Sequence, residues 1–292
     1  MTVVDSHVHW WTLARGDYRW LTPKAGPLYR DFGPVDLAPL LRAEGVDRIV
    51  LVQAADTVAE TRFLLSCAAA RSEVAAVVGW ADFDAADFSA TIAAAARPET
   101  LKGMRPMLQD LDDDAWCAAE VRDGAFSALA RAGVVFDALV RPRHLRHLLK
   151  RMERTPGLTV VVDHAAKPDV RSWEPGDSAF RAWRDDLRAV AKHPQARCKW
   201  SGLFSEAAPS AGAETLRPYA DVVMETFGPE RTMFGSDWPV LLAGAAYGDW
   251  LGLSCELFSG LSGAETDAVF GGTAARTYGF DAASGANTGR KA

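Results

Sequence analysis

The sequence has no block of basic residues, no apolar stretch of the ~18 residues that a membrane span requires, and no basic-then-apolar leader at its N-terminus. With a formal net charge of −6, the first absence excludes a nucleic-acid groove, and the other two point away from the membrane. Cysteine is scarce. Cys67, Cys117, Cys198 and Cys255 are scattered with no CxxC spacing, so they read as buried, reduced thiols of a cytoplasmic protein. The first apolar run is followed by no GxGxxG turn, which argues against a doubly wound dinucleotide-binding sheet. No linker or low-complexity break interrupts the chain before Asp281. The composition, 49% hydrophobic and 24% charged over 292 residues, is that of a soluble globular protein with room for two ordinary domains or one large barrel.

Eight short β-rich runs alternate with helix-like segments. The runs are Val3–His9, Arg48–Gln53, Val74–Trp80, Leu101–Pro106, Val134–Val140, Leu158–His164, Ala196–Gly202 and Thr232–Trp238. Most are nearly continuous apolar stretches, as expected of parallel strands buried on both faces. Between them, Leu37, Leu40 and Leu41 fall at helical spacing ahead of Gly45, a stop residue. Thr57-Val58-Ala59-Glu60 has capping-box form, and Leu145, Leu148, Leu149 and Met152 make another apolar stripe. Eight strand–helix units in one chain are the arithmetic of an α/β fold, a single (β/α)8 TIM-type barrel spanning residues 1–280, with an open sheet as the runner-up. Residues 281–292 read as a disordered Gly/Ser-rich tail. Two stretches fit less well: a long loop from Trp10 to Pro34, and Asp112–Gly133, longer than one helix, with Gly124 as its expected break.

A barrel of this type builds its site at the carboxyl ends of the strands, which demands polar residues at the ends of the apolar runs. They are there. Asp5-Ser6-His7-Val8-His9 ends the first, and alternation points His7 and His9 from one face as a metal-binding or acid/base pair. Alone, such a pair is as readily two half-exposed histidines. Lys102 and Arg105 lie on the fourth run, Asp163 and His164 end the sixth, Lys199 and Trp200 lie on the seventh, and Asp237 and Trp238 end the eighth. Both fourth-run cations face inward only if the strand bulges or ends before Arg105. Lys199 sits inside an apolar run, where an unpaired ammonium is costly, so a partner or a function is expected. His144 and His147 read as surface residues.

Taken together, these motifs resemble those of the amidohydrolase superfamily, and within it a metal-poor branch of sugar lactonases. That branch includes L-fuconolactonase and L-rhamnonolactonase-like proteins and is related to 2-pyrone-4,6-dicarboxylate lactonase. The resemblance rests on Asp5-Ser6-His7-Val8-His9-Trp10-Trp11, Tyr18-Arg19-Trp20-Leu21, Tyr29-Arg30-Asp31-Phe32 and Leu101-Lys102-Gly103-Met104-Arg105-Pro106. It continues through Asp163-His164-Ala165-Ala166-Lys167-Pro168, Cys198-Lys199-Trp200-Ser201-Gly202-Leu203, Phe234-Gly235-Ser236-Asp237-Trp238-Pro239 and a closing segment in which Thr273 replaces the usual Asn. Two-metal members bring a lysine or glutamate from strand 4 and a histidine from strand 5. The fifth run here has no histidine, so a dinuclear centre is not expected.

The resemblance implies a lactone hydrolase acting on a small sugar-derived lactone, L-fucono-1,5-lactone or a close aldonolactone. Asp237 is the expected base for water. His164, His7, His9 and one of the cations Lys199 or Arg105 would hold the carbonyl oxygen. The implied cofactor is none, or one divalent ion (zinc) on His7, His9 and Asp237. Ten tryptophans is a high count, and Trp10, Trp11, Trp20, Trp80, Trp200 and Trp238 all fall in the strand-1 loop or at strand ends. They are expected to offer faces to the sugar, with Lys102, Arg105, Arg30 and Asp31 reading its polar groups. A metal-dependent decarboxylase or C–C hydrolase of the same superfamily is the first alternative, and a non-catalytic sugar-acid-binding barrel the second. A homo-oligomer is compatible with the sequence.

Overall fold

The computed structural model describes residues 2–95, 100–208 and 211–282. From residue 283 onward, the expected tail lies outside the described residues. All eight strands anticipated from the sequence are present: β1 (Val4–Val8), β2 (Arg48–Val52), β3 (Val74–Gly79), β4 (Leu101–Met104), β5 (Val135–Ala138), β6 (Val160–Val162), β7 (Ala196–Trp200) and β8 (Thr232–Phe234). Each pairs in parallel with the next, in the order β1 to β8. The sheet then closes on itself. Val8 bridges to Trp238 in parallel, the His9 N–H donates to the Trp238 carbonyl at 2.7 Å, and the Asp237 N–H donates to the His7 carbonyl at 2.9 Å. A single (β/α)8 barrel results, and the open-sheet alternative fails on this seam.

Around it lie α1 (Pro34–Glu44), α2 (Val58–Ala69), α3 (Phe88–Ala95), α4 (Asp123–Ala132), α5 (Leu145–Arg154), α6 (Ser178–Ala191), α7 (Ala213–Phe227), α8 (Tyr247–Leu257), α9 (Gly263–Asp267) and α10 (Thr273–Tyr278). Strand alternation divides the apolar residues between two cores. Val4, Val50, Val52, Ala76, Val78, Val135, Val161 and Met233 fill the barrel, which Ala274 and Tyr278 of α10 plug. Their neighbours Ile49, Leu51 and Val77 face the helices instead. Among the described residues no helix is long and apolar enough to cross a membrane.

Three expectations change. Gly124 breaks nothing: it lies in the first turn of α4, and the extra length is taken up by 3-10 turns at Trp116–Ala118 and Glu120–Arg122. A fully buried arginine on α5, Arg151, ties that segment down, donating to the Cys117 carbonyl at 2.6 Å, the Ala119 carbonyl at 2.8 Å and Asp123 Oδ1 at 2.7 Å. His144 is not a surface residue but buried, paired through Nε2 with Asp114 at 3.1 Å. The four cysteines are free, but only Cys117 and Cys198 are buried, while Cys67 is half-buried and Cys255 exposed.

The long loop after β1 is ordered by its aromatics. Trp11 and Phe32 form an antiparallel bridge, the Trp11 indole donates to the Arg30 carbonyl at 2.7 Å, and the Trp20 indole donates to the Ala54 carbonyl at 2.7 Å. Glu60 holds the same loop from beneath. Thr57 caps α2 by accepting the Glu60 N–H at 3.0 Å, but the Glu60 carboxyl does not reach back to complete the box. It accepts instead from the Tyr18 hydroxyl at 2.9 Å and the Ala54 N–H at 3.0 Å, with Arg15 at 3.4 Å.

Burial pushes the Glu60 carboxyl up to about 7 from an ordinary 4.5, against the pull of the Ala54 N–H, Tyr18 and Arg15. The folded state then keeps a proton that the unfolded chain has already released. The Glu60 contribution to stability therefore falls as pH rises between about 4.5 and 7, by about 3 kcal/mol once that window is passed. The difference in Tm between Glu60→Gln and wild type is expected to move in the variant's favour as pH rises from 5 to 7.5. Asp5 and Asp137, both raised to about 6, act with the same sign as Glu60, and the lowered His7, His9 and His164 with the opposite sign, so the Glu60 effect is read as the difference between variant and wild type. An unchanged Tm–pH curve would refute the assignment.

Candidate active site

At the carboxyl end of the barrel lies a cavity of about 190 Å³, smaller than the ~300–1,000 Å³ of drug-sized sites. Its polar wall is His9, Arg105, His164, Lys167 and Asp237, with Gln109 and Asp110 at the rim; Trp20, Ala54, Met107, Leu139 and Val240 line the rest. Six strand ends or the loops after them converge here.

Asp237, one residue past Ser236 beyond β8, is held in the left-handed region at φ +59°. Its Oδ1 takes three imidazoles: His9 Nε2 at 3.2 Å, His7 Nε2 at 3.7 Å and His164 Nε2 at 3.9 Å. Burial pushes this carboxyl up, but the three rings outweigh it and hold the group well below the usual carboxylate range, so it is ionised at neutral pH. Among the described residues Oδ2 makes no hydrogen bond, which leaves it to water or substrate. The histidines are neutral. Burial lowers all three, taking His164 to about 4, and Lys199 drives His7 down further.

His9 Nδ1 lies 2.8 Å from the Val52 carbonyl. A carbonyl only accepts, so Nδ1 carries the proton and Nε2 presents a lone pair. That lone pair meets a carboxylate oxygen 3.2 Å away, two acceptors converging where a cation belongs. His7, His9 and Asp237 each bring a ligand atom within 4.8 Å of the others, and their N/N/O chemistry fits a divalent ion such as zinc. His7, Asp163 and His164 meet the same distance test, but Asp163 already pairs with Lys199.

Beneath this surface sits a buried charge cluster. Lys199 donates to Asp137 Oδ2 at 2.6 Å, lies 3.1 Å from Asp163 Oδ1 and 3.2 Å from His7 Nδ1, and is fully buried. Burial works to raise both carboxyls. Lys199 and His7 prevail at Asp163, held well below its ordinary value, whereas Asp137 stays up at about 6. Lys199 thus supports His7 from below and does not line the cavity, contrary to the carbonyl-holding role expected of it.

Arg105 does line it. β4 ends at Met104, and a Cβ on Gly103 would meet Asp137 inside the barrel, so Gly103 and Arg105 face inward and Lys102 faces out. Lys102 is therefore not a site residue. Arg105 donates to the Gln53 carbonyl, sits 3.5 Å from Asp163 Oδ2 and 3.4 Å from His7 Nε2, and receives Gln53 Nε2 on its own carbonyl at 2.7 Å.

Most of the tryptophans are not where the sugar-face reading put them. Trp10, Trp11, Trp200 and Trp238 are at most 1% exposed, and of the six only Trp20 lines the cavity. The reason is alternation: Trp10 follows His9, Trp200 follows Lys199 and Trp238 follows Asp237, so each turns outward as its neighbour turns in. Trp200 stacks on Trp250 at 5.5 Å, and Trp238 meets Phe32 edge-on at 5.4 Å. Arg30 is half-exposed, paired with Asp36 at 2.8 Å and stacked on Phe32, while Asp31 accepts the Leu13 N–H at 2.7 Å. Neither reaches the cavity.

Lys167, Gln53, Ser201 and Gly202 were given no role from sequence. Ser201 Oγ lies 2.9 Å from His164 Nδ1. Gly202, at φ +67°, leaves room for that ring, since a Cβ there would collide with His164 Nδ1. Lys167, Ser201 and Gly202 sit inside the motifs quoted above and Gln53 ends the second run, but a glycine required by a ring packed against it carries no signal in one sequence.

The model of the amidohydrolase family matches residues 4–280. An L-fucono-1,5-lactonase of Burkholderia ambifaria is 43% identical over 97% of both chains, and one of Burkholderia multivorans is 39% identical over 94% of this chain and 95% of its own. The crystal structure of an amidohydrolase from Burkholderia multivorans with bound zinc superposes with a TM-score of 0.90 at 36% identity, covering 96% of this chain and all of that one.

Gly202→Ala is expected to push His164 off Ser201 and lower kcat/KM by about 10²-fold, the scale of a 1 Å misplacement, while the barrel still folds. Unchanged kinetics would remove His164 from the working site.

Proposed function

This chain belongs to the amidohydrolase family, and on that premise we propose that it opens a sugar-derived lactone, L-fucono-1,5-lactone or a close aldonolactone, to the aldonate. The observation that carries the reading is Asp237. Its Oδ1 stands among the His7, His9 and His164 rings, and its Oδ2 makes no hydrogen bond among the described residues, beside a cavity of monosaccharide scale. Full-length relatives at 43% and 39% identity, both L-fucono-1,5-lactonases, support the same chemistry over the decarboxylase and the non-catalytic readings.

Asp237 Oδ2 takes a proton from water as the oxygen adds to the lactone carbonyl carbon. Charge that develops on the carbonyl oxygen is met by the Arg105 guanidinium, which cannot lose its proton, and by the His164 ring held from Ser201. Trp20, fixed by its indole bond to Ala54, presents an aromatic wall for the C–H face of the sugar. After ring opening the new carboxylate stays beside Arg105. His7, His9 and Asp237 would hold one divalent ion, which when bound supplies Lewis-acid polarisation and a more acidic water. The lack of a basic groove, the free thiols and the small cavity support a cytoplasmic enzyme of sugar catabolism with no nucleic-acid partner.

A pH-indicator assay over L-fucono-, L-galactono-, D-arabinono- and L-rhamnono-lactones tests this. Turnover is expected on at least one and to fall by roughly 10²–10⁴-fold in Asp237→Asn. Full activity in that variant would discard the reading. Metal analysis of the purified protein is expected to find about one divalent ion per chain, lost in His9→Ala. Turnover that survives complete chelation would remove the ion from the proposal and leave the Asp237 chemistry standing.

A further inference from the structure

After β6 the chain makes an unusual turn. His164, Ala165, Ala166 and Lys167 have φ of +54°, +50°, +63° and +49°, four consecutive residues without glycine in the left-handed region. Each costs about 1–2 kcal/mol relative to its right-handed form, so the turn persists only because the surrounding structure imposes it. The Lys167 N–H donates to the His164 carbonyl at 2.8 Å, closing the turn, and the Trp183 indole donates to the Ala165 carbonyl at 2.8 Å, pinning it from the helix layer. In a left-handed turn, as in its mirror image, residues three apart share a face. His164 and Lys167 accordingly both line the cavity, while Ala165 and Ala166 are fully buried.

Lys167 is the cavity's one largely uncommitted cation among the described residues. Its ammonium makes no hydrogen bond, and its ion pair with Glu206 Oε1 is stretched to 3.9 Å. Around it stand Glu206 and Asp237, which favour its charge, and Arg141 and Arg105, which oppose it; burial is the largest influence and lowers it from its ordinary value.

Lactone opening also needs a proton for the leaving ring oxygen. The breaking bond leaves its electron pair on the ring oxygen, an alkoxide unless protonated. Arg105 does not release protons, the Trp20 N–H is held by Ala54, and the His9 N–H is held by Val52. Resting on the lactonase reading above, we propose that Lys167 is the general acid that protonates the ring oxygen as the lactone C–O bond breaks. Water gives its proton to Asp237 and its oxygen to the carbonyl carbon, and the carbonyl π pair moves to oxygen. Collapse restores the carbonyl and expels the ring oxygen, which takes a proton from Lys167 Nζ. The proton on Asp237 then returns to the neutral amine, so lactone and water become hydroxy acid with nothing left over.

The test compares wild type, Lys167→Met and Lys167→Arg on an aldonolactone and on the matching thiolactone, in which sulfur replaces the ring oxygen. A thiolate, with an ordinary pKa of about 8.5, leaves without a proton. Lys167→Met is expected to lose about 10²-fold or more in kcat on the oxygen lactone and less than about 10-fold on the thiolactone. Lys167→Arg, which keeps the charge but is a far weaker acid, is expected to follow it. Equal losses on both substrates, or recovery of the oxygen lactone in Lys167→Arg, would overturn the proposal and make Lys167 a binding charge only. Wild-type protein inactive on every aldonolactone would fail the lactonase reading itself, a separate result.

Discussion

One buried ammonium organises the centre of this barrel. Lys199 reaches inward from β7 to two carboxylates, Asp137 of β5 and Asp163 after β6, and to His7 of β1, all fully buried. Tyr278 of the closing helix adds its hydroxyl to Asp137 at 2.7 Å. Burying two carboxylates so close together is tolerable only with a cation between them, and leaving one buried charge of such a pair without its partner costs about 3–5 kcal/mol. The cluster joins three strands and the plug below to the histidine floor above. His7 therefore has a defined orientation without contributing to the cavity wall, and the residues that do contribute, His9, Arg105, His164 and Asp237, rest on that floor.

The architecture was legible because its causes are local. Alternating runs of β-branched and helix-patterned residues give strands in the order in which they pair, and the strand-end rule finds His9, His164, Arg105 and Asp237, all of which face the cavity. What was misread follows from one rule applied incompletely. Alternation correctly places His7 and His9 together, and applied to the next residue it also turns Trp10, Trp200 and Trp238 outward into the helix layer. Counting tryptophans near strand ends ignores that period. Lys102 goes the same way for the same reason. Other features had no local cause to read. Lys167 enters the cavity only because four residues take a left-handed turn, and Gly202 matters only because His164 packs on it.

Backbone strain gathers where the chemistry is. Asp237 and the His164–Lys167 turn are the described non-glycine residues with positive φ, and all of them stand at or beside the cavity. Such conformations cost stability and survive where packing over-determines them, here by Trp183 on one side and the β1–β8 seam on the other. The gain is direction: side chains that a regular strand end would send apart converge on one small volume.

The seam that closes the barrel is formed by the backbones of His7, His9, Asp237 and Trp238, the residues whose side chains make or flank the site. Architecture and chemistry here share one stretch of chain. A substitution at the seam is judged twice, once for closure and once for reaction, and few changes pass both. Freedom to diversify falls instead on segments that line the cavity without holding the sheet, the β1 loop bearing Trp20 and the stretch from Met107 to Asp110. New substrate preferences in this scaffold would arise by remodelling those rims around a centre that cannot drift.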